Sequence, residues 1–273
     1  MQRQNNFAVI ILAAGLGKRM RSKTSKVLHE IAGKPIIAHI YEKVSSLNPR
    51  QTIIVASPQN ADDLKKLLKE PMFVIQKEAL GTADAAKAGL KIVGKSIKDV
   101  LVMYGDDTAL YKPQTILNVF NQHKKAAAKI TFVTLEKENP SGFGRIVRQN
   151  GKLSGIIEEK DATENQRAIK EINDGLYIFD KDWLLQNLPK LTPSPVTGEY
   201  YLTDLIKIAL AKNDKVETYK LEDRRQWHGI NTPEELEEAN RKLKKENLPA
   251  ARLPDGQGRQ VHIMGIAGAG ASS

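Results

Sequence analysis

LAAGLGKRMRSKTSKVL, residues 12–28, leaves an unbroken apolar run at 7–12 and meets two glycines followed by a cluster of Lys and Arg. Small residues at Ala13, Ala14, Gly15 and Gly17 let backbone N–H groups approach an anion closely, and Lys18, Arg19, Arg21, Lys23 and Lys26 can neutralise it. Arg19 and Lys26 lead as phosphate ligands. Two familiar phosphate loops fail on spacing: a Walker loop needs Gly where Leu12 stands and Ser or Thr where Arg19 stands, and a dinucleotide fingerprint starting at Gly15 needs Gly where Met20 stands. The plain alternative is a flexible basic loop after a core strand, since glycine turns after first strands are common in α/β folds.

Outward from this loop, apolar runs of strand length recur at 7–12, 52–55, 72–75, 100–104 and 130–135. Helix-like segments begin near Pro35, Asn60, Gly81 and Pro113, and this alternation predicts an α/β fold with a largely parallel sheet. The first, second and fourth runs are almost continuously apolar, as strands covered on both faces should be. Beyond Pro140, GRIVRQNGKLSGIIEE places Asn150-Gly151 between two β-rich runs, which predicts a type I′ hairpin and an inserted antiparallel β layer. A further strand is expected at 175–179. A helix is expected over 201–212, with Leu202, Leu205, Ile206, Ala209 and Leu210 on one face. Thr232, Pro233 and Glu235 form a capping box opening a helix whose charges run from acidic to basic, matching the helix dipole.

The 273 residues, 41% of them hydrophobic, suffice for one large domain with a short extension. Expected boundaries are 1–246 for that domain, 247–260 for a Pro- and Gly-bearing linker, and 261–273 for the start of a second glycine-rich unit. Cysteine is absent, which excludes disulfides, thiolate-bound zinc, iron–sulfur clusters and thiol catalysis. The N-terminus lacks the apolar core of a signal peptide, and the run at 7–14 is too short to span a bilayer, so a cytoplasmic location and no membrane partner are expected. A net charge of +10 admits a nucleic-acid partner. The basic residues are spread among Glu and Asp, however, and only 5% of residues are aromatic, which favours a basic surface handling anionic metabolites and no nucleic acid.

The loop LAAGLGKRM and SKVLHEIAGKPII at 25–37 resemble the opening signature of the sugar-nucleotide pyrophosphorylases, in particular uridylyltransferase domains acting on N-acetylglucosamine 1-phosphate. The likeness continues in order through QKEALGTADAA at 76–86, VLVMYGDD at 100–107, GFGRIVRQNGKLSGIIEEKDA at 142–162, EINDGLYIF at 171–179, GEYYLTDLI at 198–206 and HGINTPEEL at 228–236. It implies a Rossmann-like sheet of the nucleotide-diphospho-sugar transferase type. It also implies transfer of UMP from UTP to N-acetylglucosamine 1-phosphate, in cell-wall precursor synthesis, with Mg²⁺ as cofactor. By resemblance Asp106 and Asn231 hold the metal, Arg19 and Lys26 act on the phosphates, and Ala13, Gly15, Gln76, Gly81 and Thr82 read the pyrimidine nucleotide. Gly144, Glu158 and Asn173 match the positions that bind the sugar.

The residues themselves agree with parts of that assignment. Asp106 follows an apolar central run, where open α/β sheets bind ligands, and a hard carboxylate suits Mg²⁺. Gln76 offers a donor and an acceptor to a base edge, and a small Gly144 leaves room for a ring. No His–carboxylate pair is evident, and a phosphate monoester needs no general base to be an anionic nucleophile. The chain departs from the common pattern at Lys18, where Thr or Ser is frequent, at Ser25, where Pro usually precedes the lysine, and at Asp107, where an apolar residue is usual. Asp107 could shift metal affinity or face solvent. Another sugar 1-phosphate and base, such as glucose 1-phosphate with UTP or dTTP, and a non-catalytic nucleotide-sugar sensor remain alternatives. VHIMGIAGAGASS at 261–273 resembles the first strand and glycine turn of the muramate ligases, which implies a fusion to such an enzyme in a longer chain.

Overall fold

The computed structural model describes residues 5–246 apart from Leu16. The linker and second unit expected at 247–273 lie outside the described residues. A nine-stranded sheet carries the fold, with β1 (Asn5–Leu12) in its interior. β1 pairs in parallel with β4 (Pro49–Ala56) on one side and β6 (Asp99–Tyr104) on the other, and β5 (Met72–Ile75) extends the parallel half beyond β4. Past β6 the direction changes. β10 (Glu171–Asp180) runs antiparallel to both β6 and β7 (Ile130–Glu136), and β11 (Val216–Lys220) closes the edge parallel to β7. A two-stranded ladder of β2 (Glu30–Ile31) and β3 (Lys34–Pro35) stands apart.

Alternation along β1 divides the core, as the two-residue period of a strand requires. Val9 and Ile11 join one cluster with α1 (Ile36–Ser46), α2 (Ala61–Leu67) and α4 (Pro113–Ala126). Ile10 joins the other, with α3 (Thr82–Leu90), α6 (Lys181–Asn187) and α7 (Asp204–Ala211). Gly89 of α3 lies so close to β1 that an added Cβ would stand 2.7 Å from Ile10 Cγ2, so this helix is pressed onto the strand that delivers the glycine-rich loop.

β8 (Arg145–Gln149) and β9 (Lys152–Ile157) form the expected hairpin, with Asn150 and Gly151 at φ 48° and 76°, the left-handed pair of a type I′ turn. The hairpin is not a detached layer. It joins the main sheet through β10, where Ile172 pairs with Arg145. The strand expected at 175–179 is the second half of β10, and the helix expected over 201–212 begins at Asp204. α5 (Glu164–Arg167) is capped by Thr163, and α8 (Pro233–Glu246) ends the described chain.

Candidate active site

The glycine-rich loop leaves β1 at the carboxyl end of the parallel half-sheet, and Asp106 leaves the adjacent β6 at the same end. Short 3₁₀ turns at Lys18–Met20 and Lys26–Leu28 shape the loop. Asn231 arrives from far along the chain, just before α8. The capping box foreseen there does form: Glu235 Oε2 accepts from the N–H groups of Asn231 (2.7 Å) and Thr232 (3.1 Å), while Thr232 Oγ1 accepts from Glu235 N (3.3 Å). This fixes the Asn231 backbone beside the loop.

Four side chains converge there. Arg19 Nη2 donates to Asn231 Oδ1 at 2.8 Å, Lys26 Nζ donates to the same oxygen at 3.0 Å, and Lys26 also pairs with Asp106. One ammonium thus lies between the carboxylate and amide oxygens that the resemblance assigns to a metal. That geometry is the test of fit: two hard oxygen donors, one charged, already aim at a single cation. Among the described residues no group of three or more His, Cys, Asp or Glu could hold a metal. A metal with few protein ligands, its shell completed by water and phosphate, is the form that Mg²⁺ sites take. Burial pulls the Lys26 ammonium down to about 8, with Arg19 adding to the depression while Asp107 and Glu235 oppose it.

The convergence sits at the junction of two cavities. One, of about 450 Å³, is walled by Ala14, Gly15, Gln76, Gly81, Thr82 and Asp106. The other, of about 570 Å³, is walled by Arg19, Glu158, Glu159, Tyr201 and Asn231. Gly17, Lys26, Lys160 and Glu199 border both.

Gly15, Gln76, Gly81 and Thr82 therefore share one half of the cleft. Ala13 does not reach it. Its side chain is buried, its N–H donates to Val55 O (2.8 Å) and its carbonyl accepts from Asn60 Nδ2 (2.8 Å), so Ala14 forms the wall instead. Gln76 Nε2 donates to Gly81 O (3.0 Å) and Asp84 Oδ2 (2.9 Å), which orients the amide. Gly81 has φ 101°, and a Cβ there would meet Tyr200 O at 2.5 Å, so only glycine fits this helix entry. Thr82 Oγ1 accepts from Leu202 N (3.0 Å), tying the first cavity to the segment that borders the second.

On the other side, Glu158 reaches the wall and accepts from Thr203 Oγ1 at 2.8 Å, with burial, aided by Asp204 and Asp161, holding its carboxyl above the usual range. Gly144 and Asn173 adjoin it without forming the wall. A Cβ on Gly144 would stand 3.1 Å from Ile156 and 3.5 Å from both Glu158 carboxylate oxygens, and Asn173 N donates to Gly144 O at 2.9 Å. The Asn173 amide oxygen is buried without a well-formed hydrogen bond, though it lies near enough to the equally unsatisfied Tyr177 hydroxyl to influence it.

Lys160, Glu199 and Tyr201 line the cleft yet were not singled out from sequence. Each lies inside a motif already noted, EEKDA or GEYYLTD, so the signal was present but no individual role was. Asp107 faces neither solvent nor the cleft. It is buried, and burial together with Asp174 pushes its carboxyl well above the ordinary range. Asp174, hydrogen-bonded to the Tyr111 hydroxyl, is pushed up to about 7 by burial. His123 lies between Thr131 Oγ1 (2.8 Å) and Asp99 Oδ1 (3.6 Å), an arrangement with the outline of a triad. It is sealed in the core, 2% exposed, with Lys124 also on Asp99, so it braces α4 against the sheet.

The model of the nucleotidyl transferase family matches residues 8–246. The bifunctional protein GlmU of Bacillus licheniformis is 39% identical over 235 residues, covering 85% of this chain and 51% of its own length. That of Desulfotalea psychrophila is 35% identical over 246 residues, covering 89% and 72%. The chain thus spans about half the length of most such relatives. A solved structure from Bacillus anthracis, assigned as a glucose-1-phosphate thymidylyltransferase and holding sucrose, superposes with a TM-score of 0.74 over 90% of this chain and 98% of its own, at 21% identity, a likeness of fold. By the family model matched over residues 8–246 and its identity to these relatives, the chain belongs to the nucleotidyl transferase family.

Proposed function

We propose that the protein transfers UMP from UTP to N-acetylglucosamine 1-phosphate, giving UDP-N-acetylglucosamine and pyrophosphate, with Mg²⁺ as the metal. The observation that carries the reading is the convergence of Arg19, Lys26, Asp106 and Asn231 at the junction of two cavities. A nucleotide in the first cavity and a sugar phosphate in the second would meet at that junction. GlmU relatives at 35–40% identity support the choice of reaction.

Arg19 and Lys26 bind the phosphates and offset the charge that develops as the sugar phosphate oxygen attacks the α-phosphorus in line. Lys26 leaves its present partners for the triphosphate when substrate enters. Asp106 and Asn231 would hold Mg²⁺, which when bound supplies Lewis-acid stabilisation of phosphoryl oxygens. No general base is required, because the nucleophile is already an anion near neutral pH. The Gln76 amide, oriented by Gly81 and Asp84, faces the base, and Gly81 and Thr82 fix the entry to α3 around it. Glu158 accepts a sugar hydroxyl, and Asn173 with the Gly144 backbone completes the recognition of the amino sugar. A sugar lacking the right group would leave these buried acceptors unpaired.

Among the described residues no helix is long and apolar enough to cross a membrane. The substrates of this reading are soluble cytoplasmic metabolites, and the protein is assigned to the same place. Pyrophosphate release from UTP, measured with and without Mg²⁺ against a panel of sugar 1-phosphates, tests the proposal. N-acetylglucosamine 1-phosphate should be the best substrate and chelation should stop turnover. Preference for glucose 1-phosphate, or for dTTP over UTP, would overturn the assignment.

A further inference from the structure

We propose that Arg145 is the positioning residue of the sugar side, a buried guanidinium that holds Gly144, Glu158 and Asn173 in one row and thereby sets sugar selectivity. The inference rests on the function proposed above and deepens it. Its basis is the strand register. Arg145 pairs with Ile157 of β9 and with Ile172 of β10, so it is the point at which three strands meet. One step along, the neighbours of those three residues are Gly144, Glu158 and Asn173. A Cβ built on Gly144 would stand 3.5 Å from both Glu158 carboxylate oxygens, and Asn173 N donates to Gly144 O at 2.9 Å, so the three residues lie side by side in this next row.

The Arg145 side chain ties the surroundings of that row together. Nη1 donates to Phe143 O, immediately before Gly144; Nη2 donates to Glu159 Oε2 at 2.5 Å, immediately after Glu158; and Nε donates to Arg167 O at 3.2 Å, at the end of α5. Its side chain is 1% exposed, whereas that of Glu159 is 30% exposed. A fully buried guanidinium with one carboxylate partner is a poor source of net stability compared with apolar packing, because desolvation offsets most of the attraction. What it does supply is geometry: a planar fork fixes two backbone carbonyls and a carboxylate at set angles, which a point charge on a flexible stem cannot do. Phe143 itself packs edge-on against Trp227, ring centroids 5.0 Å apart, so the anchored loop is also braced toward Asn231.

Arg145→Lys is the deciding variant, since it keeps the buried charge beside Glu159 and loses the fork; Arg145→Gln removes the charge as well. Steady-state pyrophosphate release should show KM for N-acetylglucosamine 1-phosphate raised about tenfold or more, with KM for UTP within about twofold of the wild type. Preference for that sugar over glucose 1-phosphate should shrink about tenfold. UDP binding, measured calorimetrically, should be unchanged, and Arg145→Lys should lie between the wild type and Arg145→Gln. Equal loss toward both substrates, a matching loss of UDP affinity, or unaltered sugar preference would show that Arg145 supports the fold in general and overturn the proposal. Wild-type protein inactive with every sugar 1-phosphate would instead refute the proposed function, and this inference with it.

Discussion

The two sides of the cleft are built on opposite terms. On the side proposed to take phosphate, the exposed Arg19 and the largely buried Lys26 stand on a loop and are held by the chain's own oxygens: Lys26 by Asp106 and Asn231, Arg19 by Asn231. On the sugar side, the polar groups are fixed in adjoining strands and braced by a buried arginine, with few degrees of freedom left. The difference teaches which side must change when substrate binds. In the proposed reaction the first side exchanges the Lys26–Asp106 pair for ligand phosphates, whereas the second is already assembled and acts as a template.

Removing Asp106 or Arg19 attacks the first side. Asp106→Ala should lower turnover by about 10³-fold or more while circular dichroism shows a folded chain, since the charged ligand proposed to hold the metal is lost. Arg19→Ala should cost about 10²-fold in kcat. Near-wild-type turnover in either variant would remove that residue from the chemistry. The sugar side should respond differently. Glu158→Gln is expected to raise KM for the sugar 1-phosphate about tenfold and to leave KM for UTP nearly unchanged, the pattern for a lost charged acceptor in binding. A parallel rise in both would erase the contrast between the sides.

The smallest expected effect lies beneath both. Asp174 is pushed from 3.8 up to about 7 by burial, so between those values the folded chain binds more protons than the unfolded one. Stability is therefore lost as pH rises through that window. Asp174→Asn keeps an acceptor for the Tyr111 hydroxyl and removes the titration. Its melting temperature relative to wild type should be higher at pH 8 than at pH 5. An equal shift at both values would mean that Asp174 does not titrate there.

Much of the parallel half was legible because its evidence is contiguous. Residues 72–75 read as a strand and are β5, and the helix starts near Pro35, Asn60, Gly81 and Pro113 match α1 to α4. The phosphate loop was legible for the same reason, its glycines and cations standing side by side. What the sequence concealed depends on pairing across distance. Val216–Lys220 alternates ordinary polar and apolar residues because it lies half-buried at an edge. Ala13 looked like a backbone donor to the ligand, but Val55 and Asn60 take both its polar groups. Asp107 looked like a surface or metal carboxylate, because nothing near it in sequence announces Asp174. Gly144, Glu158 and Asn173 are unremarkable residue types taken singly. Only the register sets them side by side, and it alone reveals Arg145 as buried, since a charged residue in a hairpin usually faces solvent.

In the proposed reaction a divalent cation takes the place that the Lys26 ammonium now holds on Asp106 and Asn231, and the nucleotide phosphate takes Lys26. A crystal structure with UDP-N-acetylglucosamine and Mn²⁺, with the metal located by anomalous scattering, measures this directly. The account predicts a metal peak between Asp106 and Asn231, the Lys26 ammonium moved onto a phosphate, and the sugar against Glu158. A metal or diphosphate bound elsewhere, or Lys26 unmoved between its present partners, would contradict it.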